Sequence, residues 1–563
     1  METTCENSLL LTGAAAEALH AEAATLPGAD LEKRQLCDLE LIINRAFAPL
    51  TGFLVQKDYE SVLERMRLAD GTLWPLPVCL DVPARIGERL SPGDTLALND
   101  REGFLLGVLD VASVWRPDRA LEARAVFGTD DPEAHPGVRR LLEETGEWYV
   151  GGRVRALYMP RHYDALDLRL TPEETRLRFA QLGWRKTLGV HSATPLHRAH
   201  LESLVHAAGQ AGANLFLQPA VNQPALVDDD HFVRVRCYRA FMKHLPQDLG
   251  LLGLIPLAPR FAGPREALLQ AIVHGNHGCT HTLVSDDQAD PCRHNGRDPF
   301  YERGAALLLL EEHAAETGVS PVRLTRMVYH MGSESFMPEE RALGEAESLP
   351  ERELLRRLEL ELPVPEWFTF PEVLDVLRQA HPPRRKQGFT VFLTGLSGSG
   401  KSTLAKILYV KFMQAGDRPV TLLDGDIVRK NLSSELNFSR EHRDINIRRI
   451  GFVASQITKN RGIAICAPIA PYEESRRYNR ELISRYGGYL EVYVSTPLSV
   501  CEARDVKGLY AKARAGLKKG VTGIDDPYEA PVNPDLSLDT SNLTPTETAQ
   551  RVVLLLREMG YVR

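Results

Sequence analysis

The chain has 563 residues, 44% of them hydrophobic and 25% charged, a mixture that excludes a disordered or fibrous protein. Its formal net charge of −8 argues against a general nucleic-acid binder, which clusters Lys and Arg, while leaving room for a local basic pocket. The eight cysteines form no C-x-x-C pair, and no apolar run reaches the roughly 18 residues that span a bilayer. The N-terminus "METTCENSLLL" lacks the basic start of a secretory signal, so the expected compartment is the cytoplasm.

In chain order, residues 1–155 carry short alternating runs such as "LPVCLDVP" and "DTLALND", separated by turn signals like "SPGD", and predict a small β-rich domain. Residues 156–380 alternate strand-like runs ("ANLFLQP", "GLLGLIPL", "THTLVS") with helical stretches ("HRAHLESLVHAAGQAG", "GPREALLQAIVHG"). They predict a parallel α/β domain whose ligands sit beyond the carboxyl ends of the strands. "HPPRRKQG", residues 381–388, has the composition of an extended, solvated linker. Residues 389–563 open with a strand, "FTVFLTG", a tight loop and a helix, "KSTLAKILYVKFMQAG", the start of a second parallel α/β domain. A chain of this length is expected to hold several domains, each with its own core.

The most specific motif is "GLSGSGKST", covering Gly395, Leu396, Ser397, Gly398, Ser399, Gly400, Lys401, Ser402 and Thr403. Its glycines let backbone N–H groups face phosphate oxygens, Lys401 brings a cation to the outer phosphates, and Ser402 is placed to ligate Mg²⁺. Set between a strand and a helix, it predicts ATP binding. The next strand-like run, "VTLLDGD", ends on Asp424 and Asp426, which suit either a solvated Asp-Gly turn or an acidic pair holding Mg²⁺ and accepting a hydroxyl proton. "DGDIVRKNL" and "NFSREHRDINIRRIG" then bring Arg429, Phe438, Arg443, Asn446 and Arg449 together. An amphipathic helix with solvated arginines explains the cations alone; an acceptor with its own anion and a flat base explains the order.

These motifs, with "CEARDVKGLYAKARAG" and "TGIDDPYEAPVNPDLSLDT", resemble the adenylylsulfate kinase family over residues 386–563. The resemblance implies a P-loop kinase that moves the γ-phosphoryl of ATP to the 3′-hydroxyl of adenosine 5′-phosphosulfate (APS). It implies Lys401, Asp424 and Asp426 as catalytic residues, with Ser402 and the two aspartates around Mg²⁺. Arg429, Arg443 and Asn446 would hold APS, Phe438 would stack its adenine, and "DVKGLYAKARAGLKKGVTGID" would form a lid carrying Lys507, Lys518 and Lys519. Two positions depart from the family: Val521 replaces a lid aromatic, and Ala470 replaces a serine that many members carry.

Upstream, "RAFAPLTGFLVQKDYESVLERMRLADGTLWPLPVCLDV", "PLHRAH", "APRFAGPREALLQAI", "NHGCTHTLVSDDQADP" and "PVPEWFTFPEVLDVLR" resemble the ATP sulfurylase family. The implied folds are a β-rich, PUA-like domain and a Rossmann-like α/β domain, and the whole chain resembles the bacterial bifunctional sulfurylase/kinase. The family's Gln-x-Arg-Asn-Pro-x-His-x-x-His stands here as His191-Ser192-Ala193-Thr194-Pro195-Leu196-His197-Arg198-Ala199-His200, with alanine at the sulfate-binding arginine. Its Val-Gly-Arg-Asp-His-Ala-Gly-Pro stands as Val284-Ser285-Asp286-Asp287-Gln288-Ala289-Asp290-Pro291, with an acid for the cation and Gln288 for a histidine. Gln218 replaces another histidine, and Pro350-Glu351-Arg352 replaces Ser-Gly-Thr. His197 and His200 are kept, and suit either capping and packing or residual ATP binding.

Removing one donor at a developing oxyanion costs about 10² to 10³ in rate. The expectation is therefore a kinase with ATP and Mg²⁺ as cofactors and APS as substrate, beside a sulfurylase frame that no longer catalyses. By resemblance it is a homo-oligomer, with a hexamer as the leading count. A bifunctional enzyme and a nucleotide-sensing regulatory protein are the alternatives.

Overall fold

The computed structural model describes residues 9–220, 228–292, 298–342, 344, 346–505 and 508–563, without the side chains of residues 228–230 and 426. The chain divides into two compact units, Met1–Pro350 with Pro365–Ala380, and Glu351–Val364 with His381–Arg563.

The first unit contains a mixed sheet whose long strands, Leu105–Trp115 and Trp148–Ala156, pair antiparallel. It also contains a parallel sheet ordered Ser320–Arg323, His281–Val284, Thr187–Ser192, Asn214–Pro219 and Gly250–Leu252. The predicted β-rich and α/β regions do not keep separate cores. Ile255, Leu257, Ala262, Leu269 and Val273 join Phe47, Trp74, Leu109 and Val150 in one buried cluster. Arg260 carries the union into polar territory, donating to buried Asp38 at 2.5 Å.

Burial lowers the pKa of His135, His274 and His277 in this unit. His135, 0% exposed, accepts from the Gly137 N–H at 3.0 Å, and burial pushes its pKa down to about 4. Burial pushes His274 and His277 down to about 3, and each pairs through Nδ1 with a threonine hydroxyl, Thr282 and Thr175. A histidine with a lowered folded pKa stabilises fully above its unfolded value of about 6.5, and that stability is lost as pH falls, by up to about 1.4 kcal/mol per pH unit per group. Thermal melts between pH 7 and pH 4 are expected to show the first unit losing stability progressively below pH 6.5.

The second unit is a five-stranded parallel sheet ordered Val420–Asp424, Ile463–Ala467, Phe389–Thr394, Gly488–Val494 and Leu536–Leu538. All six residues of Phe389–Thr394 are buried, as a central parallel strand covered on both faces requires. The final helix, Pro545–Glu558, starts on a reciprocal cap: the Thr544 N–H donates to Glu547 Oε2 at 2.8 Å, and Thr544 Oγ1 accepts from the Glu547 N–H. Leu404, Leu408 and Phe412 of the helix Lys401–Ala415 share a core with Val552 and Leu556.

The segment 381–388 is not an extended solvated linker. Residues Arg384–Lys386 form a single 3₁₀ turn, and Arg384 and Arg385 pair with Glu359 and Glu361. Those acids come from Glu351–Val364, which folds with the second unit through a helix, Glu351–Glu359, burying Leu354 and Leu358. The basic composition that suggested solvation serves ion pairing instead.

Candidate active site

The loop Gly395–Gly400 joins the central strand to the helix Lys401–Ala415, so the N-terminus of that helix faces the carboxyl end of the sheet. Gly395 has φ +146°, and a Cβ there would come 2.5 Å from the Val494 carbonyl, so only glycine fits. Lys401 is 6% exposed and its Nζ donates to the carbonyls of Gly395 at 2.8 Å and Leu396 at 2.7 Å. The Ser399 carbonyl accepts from Thr496 Oγ1 and Thr540 Oγ1, which tie the loop to the following strands. Arg504 grips Thr540 through its hydroxyl and carbonyl, both at 2.8 Å.

The loop borders a cavity of about 580 Å³. Ser402 and Thr403 line it at the helix start, and Asp424 lines it at the end of its strand. Arg429, Phe438, Arg443, Asn446 and Lys518 also line it. Asp426 begins a short helix, Gly425–Leu432, but its side chain lies outside the described residues, as does all of Lys507. Lys519 is exposed and is not part of the cavity wall. Arg449 is also outside the wall; it donates to the Leu432 carbonyl and to Glu435, bracing the preceding loop.

The acceptor-side residues are held in specific ways. Phe438 is 58% exposed, with the Arg429 guanidinium 4.4 Å and the Lys518 ammonium 5.5 Å from its ring centroid. Both contacts fall in the cation–π range. Asn446 is 6% exposed and its amide oxygen has no hydrogen-bond partner among the described residues. A buried carbonyl without a donor costs about 1–3 kcal/mol, which a ligand donor entering the cavity would recover. Arg443 differs from the sequence expectation. Its donors are committed to the carbonyls of Phe438 and Gly520, to the Thr522 hydroxyl and to Asp526.

Val521 is 3% exposed and packs with Cys501 and Tyr510 against Leu396 of the phosphate loop. It therefore adds apolar volume beneath its segment rather than a ring face. Tyr510 adds a polar tie, donating to the Ser397 carbonyl at 2.8 Å. Ala470 is buried with φ +47°, and its carbonyl accepts from Arg476 and Thr394. Arg504 and Thr540 have no role predicted from sequence, and Tyr510 only a place within the expected lid segment. Their residue types carry no signal; only the fold brings them to the loop.

Conditions differ in the first unit, at the carboxyl end of its parallel sheet. His191 pairs in register with Gln218, whose amide atoms are buried without a partner among the described residues. The turn through Ala193 and Thr194 is closed by Tyr238, whose hydroxyl donates to the Thr194 carbonyl at 2.7 Å. His197 caps the helix Arg198–Ala211. Its N–H donates to His200 Nδ1, its own Nδ1 meets Thr369 at 2.9 Å, and its ring lies 4.4 Å from Phe368. Asp286 does not stand as a bare charge: Arg323 pairs with both its oxygens at 3.0 and 2.9 Å and lowers its pKa. Gln288 is turned inward, donating to Gln270 at 2.7 Å and accepting from the Ser285 hydroxyl at 3.0 Å.

A phosphate loop on the central strand of a parallel sheet, with an acid and a cationic, aromatic wall around one cavity, defines the second unit as a P-loop nucleotide kinase. Family profiles match a PUA-like domain over residues 5–159, ATP-sulfurylase over 166–380 and adenylylsulphate kinase over 387–539. The sulfate adenylyltransferase of Phaeosphaeria nodorum is 46% identical over 547 residues, covering 96% of this chain and 95% of the relative. That of Coccidioides immitis is 44% identical over 549 residues, covering 97% and 96%. Among solved structures, the hexameric APS kinase from Thiobacillus denitrificans is 38% identical, with a TM-score of 0.81 over 99% of this chain and 98% of its own. The chain belongs to the sulfate adenylyltransferase family, and its C-terminal unit carries an adenylylsulphate kinase domain.

Proposed function

We propose that the chain catalyses transfer of the γ-phosphoryl of ATP to the 3′-hydroxyl of APS. In this reading the N-terminal unit keeps the sulfurylase frame without its reaction, and serves as the scaffold of a homo-oligomer. The observation that carries the reading is the contrast between two strand ends. One borders a 580 Å³ cavity walled by the phosphate loop, Asp424 and the Phe438 to Asn446 set. At the other, Ala193 offers no cation, and Asp286 and Gln288 are engaged with Arg323 and Gln270.

The residues suit the chemistry. Loop amides and the helix N-terminus receive the phosphates, and Lys401 exchanges its carbonyl partners for phosphate oxygens as ATP arrives. Ser402 and Asp424 both line the cavity and are hard oxygen donors that would suit Mg²⁺, an ion that keeps several waters and takes phosphates as further ligands. When bound there, Mg²⁺ neutralises charge on the transferring phosphoryl group. Asp424 orients the acceptor hydroxyl and takes its proton. Phe438 offers its face to the adenine of APS, with Arg429 and Lys518 at hand for its phosphosulfate. The lid underside around Val521 excludes water that would divert the phosphoryl group.

The direct test supplies γ-labelled ATP, Mg²⁺ and APS to the purified chain and follows label into 3′-phosphoadenosine 5′-phosphosulfate. Label in that product is expected; binding of both nucleotides without transfer would contradict the reading and favour a sensing role. Asn446 gives a sharper prediction. Asn446→Leu removes the unpaired buried carbonyl, so the melting temperature should hold or rise, while KM for APS rises at least about tenfold. A parallel loss of stability and affinity would contradict it.

One observation favours a second reading: the fungal relatives at 46% and 44% identity are named sulfate adenylyltransferase. On that reading the chain also makes APS. The full-length neighbour from Thiobacillus denitrificans, a hexameric APS kinase, supports the first reading and the expected assembly, which light scattering would test.

A further inference from the structure

We infer that Asp526 is a positioning residue: through Arg443 it fixes the return segment of the lid, residues 520–526, over the acceptor end of the cavity. The inference rests on the kinase reading above. Arg443 sits in the first turn of the helix Arg440–Lys459 and is 8% exposed. Its Nε donates to the Phe438 carbonyl at 2.9 Å, Nη1 to the Thr522 hydroxyl at 2.7 Å and to Asp526, and Nη2 to the Gly520 carbonyl. One side chain thus joins the acceptor helix, the aromatic turn and the lid.

Asp526 supplies the charge in this arrangement and has a second anchor. Its Oδ1 accepts from the Tyr472 hydroxyl at 3.1 Å, and its Oδ2 also accepts from Thr522 at 3.2 Å. Tyr472 is buried, next to Pro471 of the cavity wall, with the Arg440 guanidinium over its ring. The neighbouring Asp525 does a different job. It accepts from the N–H groups of Gly520 and Val521, closing the turn upon itself without tying it to the body. Asp526 alone of the two connects the turn to the cavity wall.

Gly520, Val521 and Thr522 line the cavity beside Arg443. Without the Asp526 carboxylate the guanidinium loses its counter-ion and becomes free to capture the acceptor's anion out of register, while the segment above it loses its fixed height. Asp526 and Arg443 make no hydrogen bond to the phosphate loop among the described contacts, and the segment meets that loop through apolar packing of Val521 on Leu396, so the effect on ATP is expected to be much the smaller. The signature is a change in KM for APS without one for ATP.

The experiment measures steady-state kinetics of the full-length chain and its Asp526→Asn and Tyr472→Phe variants, varying APS and ATP in turn. Asp526→Asn is expected to raise KM for APS at least about tenfold and leave KM for ATP within about twofold, as loss of a charged hydrogen-bond partner would. Tyr472→Phe should give a smaller rise, about threefold, again for APS alone, and it decides the matter if Asp526→Asn does not fold. APS KM values within twofold of wild type, or rises for both substrates together, would overturn the inference. A wild-type chain that transfers nothing to APS would instead overturn the kinase reading itself.

Discussion

Replacing Lys401 by alanine is expected to lower kinase turnover by at least about 10³-fold while leaving the fold and the assembly intact. The loss is large because Lys401 is the cation of the phosphate loop, and phosphoryl transfer depends almost wholly on positioning and electrostatic stabilisation of the moving group. The fold is expected to be spared because the ammonium's bonds to the carbonyls of Gly395 and Leu396 and to Ser399 lie inside the loop itself. The glycine geometry and the Thr496 and Thr540 bonds to the Ser399 carbonyl hold the loop independently. Kinase rate and light scattering on the same preparation check both halves. A variant that keeps a tenth of wild-type turnover would show that another cation does this work.

The phosphate loop was legible in sequence because its function lies in consecutive residues, Gly395 to Thr403, whose glycines and lysine have few other reasons to occur together. The α/β alternation was legible for a similar reason: each strand and helix carries its own local period. What escaped was made by distant partners. Arg443 reads as a free anion contact, but Asp526, 83 positions on, engages it. Asp286 reads as a bare acid in a sulfate site, yet Arg323, 37 positions on, neutralises it. That pairing removes the repulsion that a lone acid would exert, and leaves the case against sulfurylation on the missing donors at Ala193 and Gln288. The linker composition misled for the same reason, since Glu359 and Glu361 bind the cations of 384–385.

The second large effect concerns the first unit. Sulfurylation builds negative charge where sulfate meets the α-phosphorus, and each missing preorganised donor costs about 10² to 10³ in rate. Ala193 cannot donate, and Gln288 has spent its amide on Gln270 and Ser285. His197 and His200 are engaged with each other, and His197 also with Thr369. Burial pushes the His197 pKa down to about 3, so it supplies no charge at neutral pH. Even with non-additive losses, ATP formation from APS and pyrophosphate by the first unit is expected to fall below detection.

Catalysis in the C-terminal unit alone is tested most directly by offering the chain APS and pyrophosphate with Mg²⁺ and following ATP. The Lys401→Ala variant serves best, because its disabled kinase does not consume the product. ATP is expected to form no faster than without protein; sustained production of ATP and sulfate, turnover after turnover, would contradict catalysis in that unit alone and make the chain bifunctional.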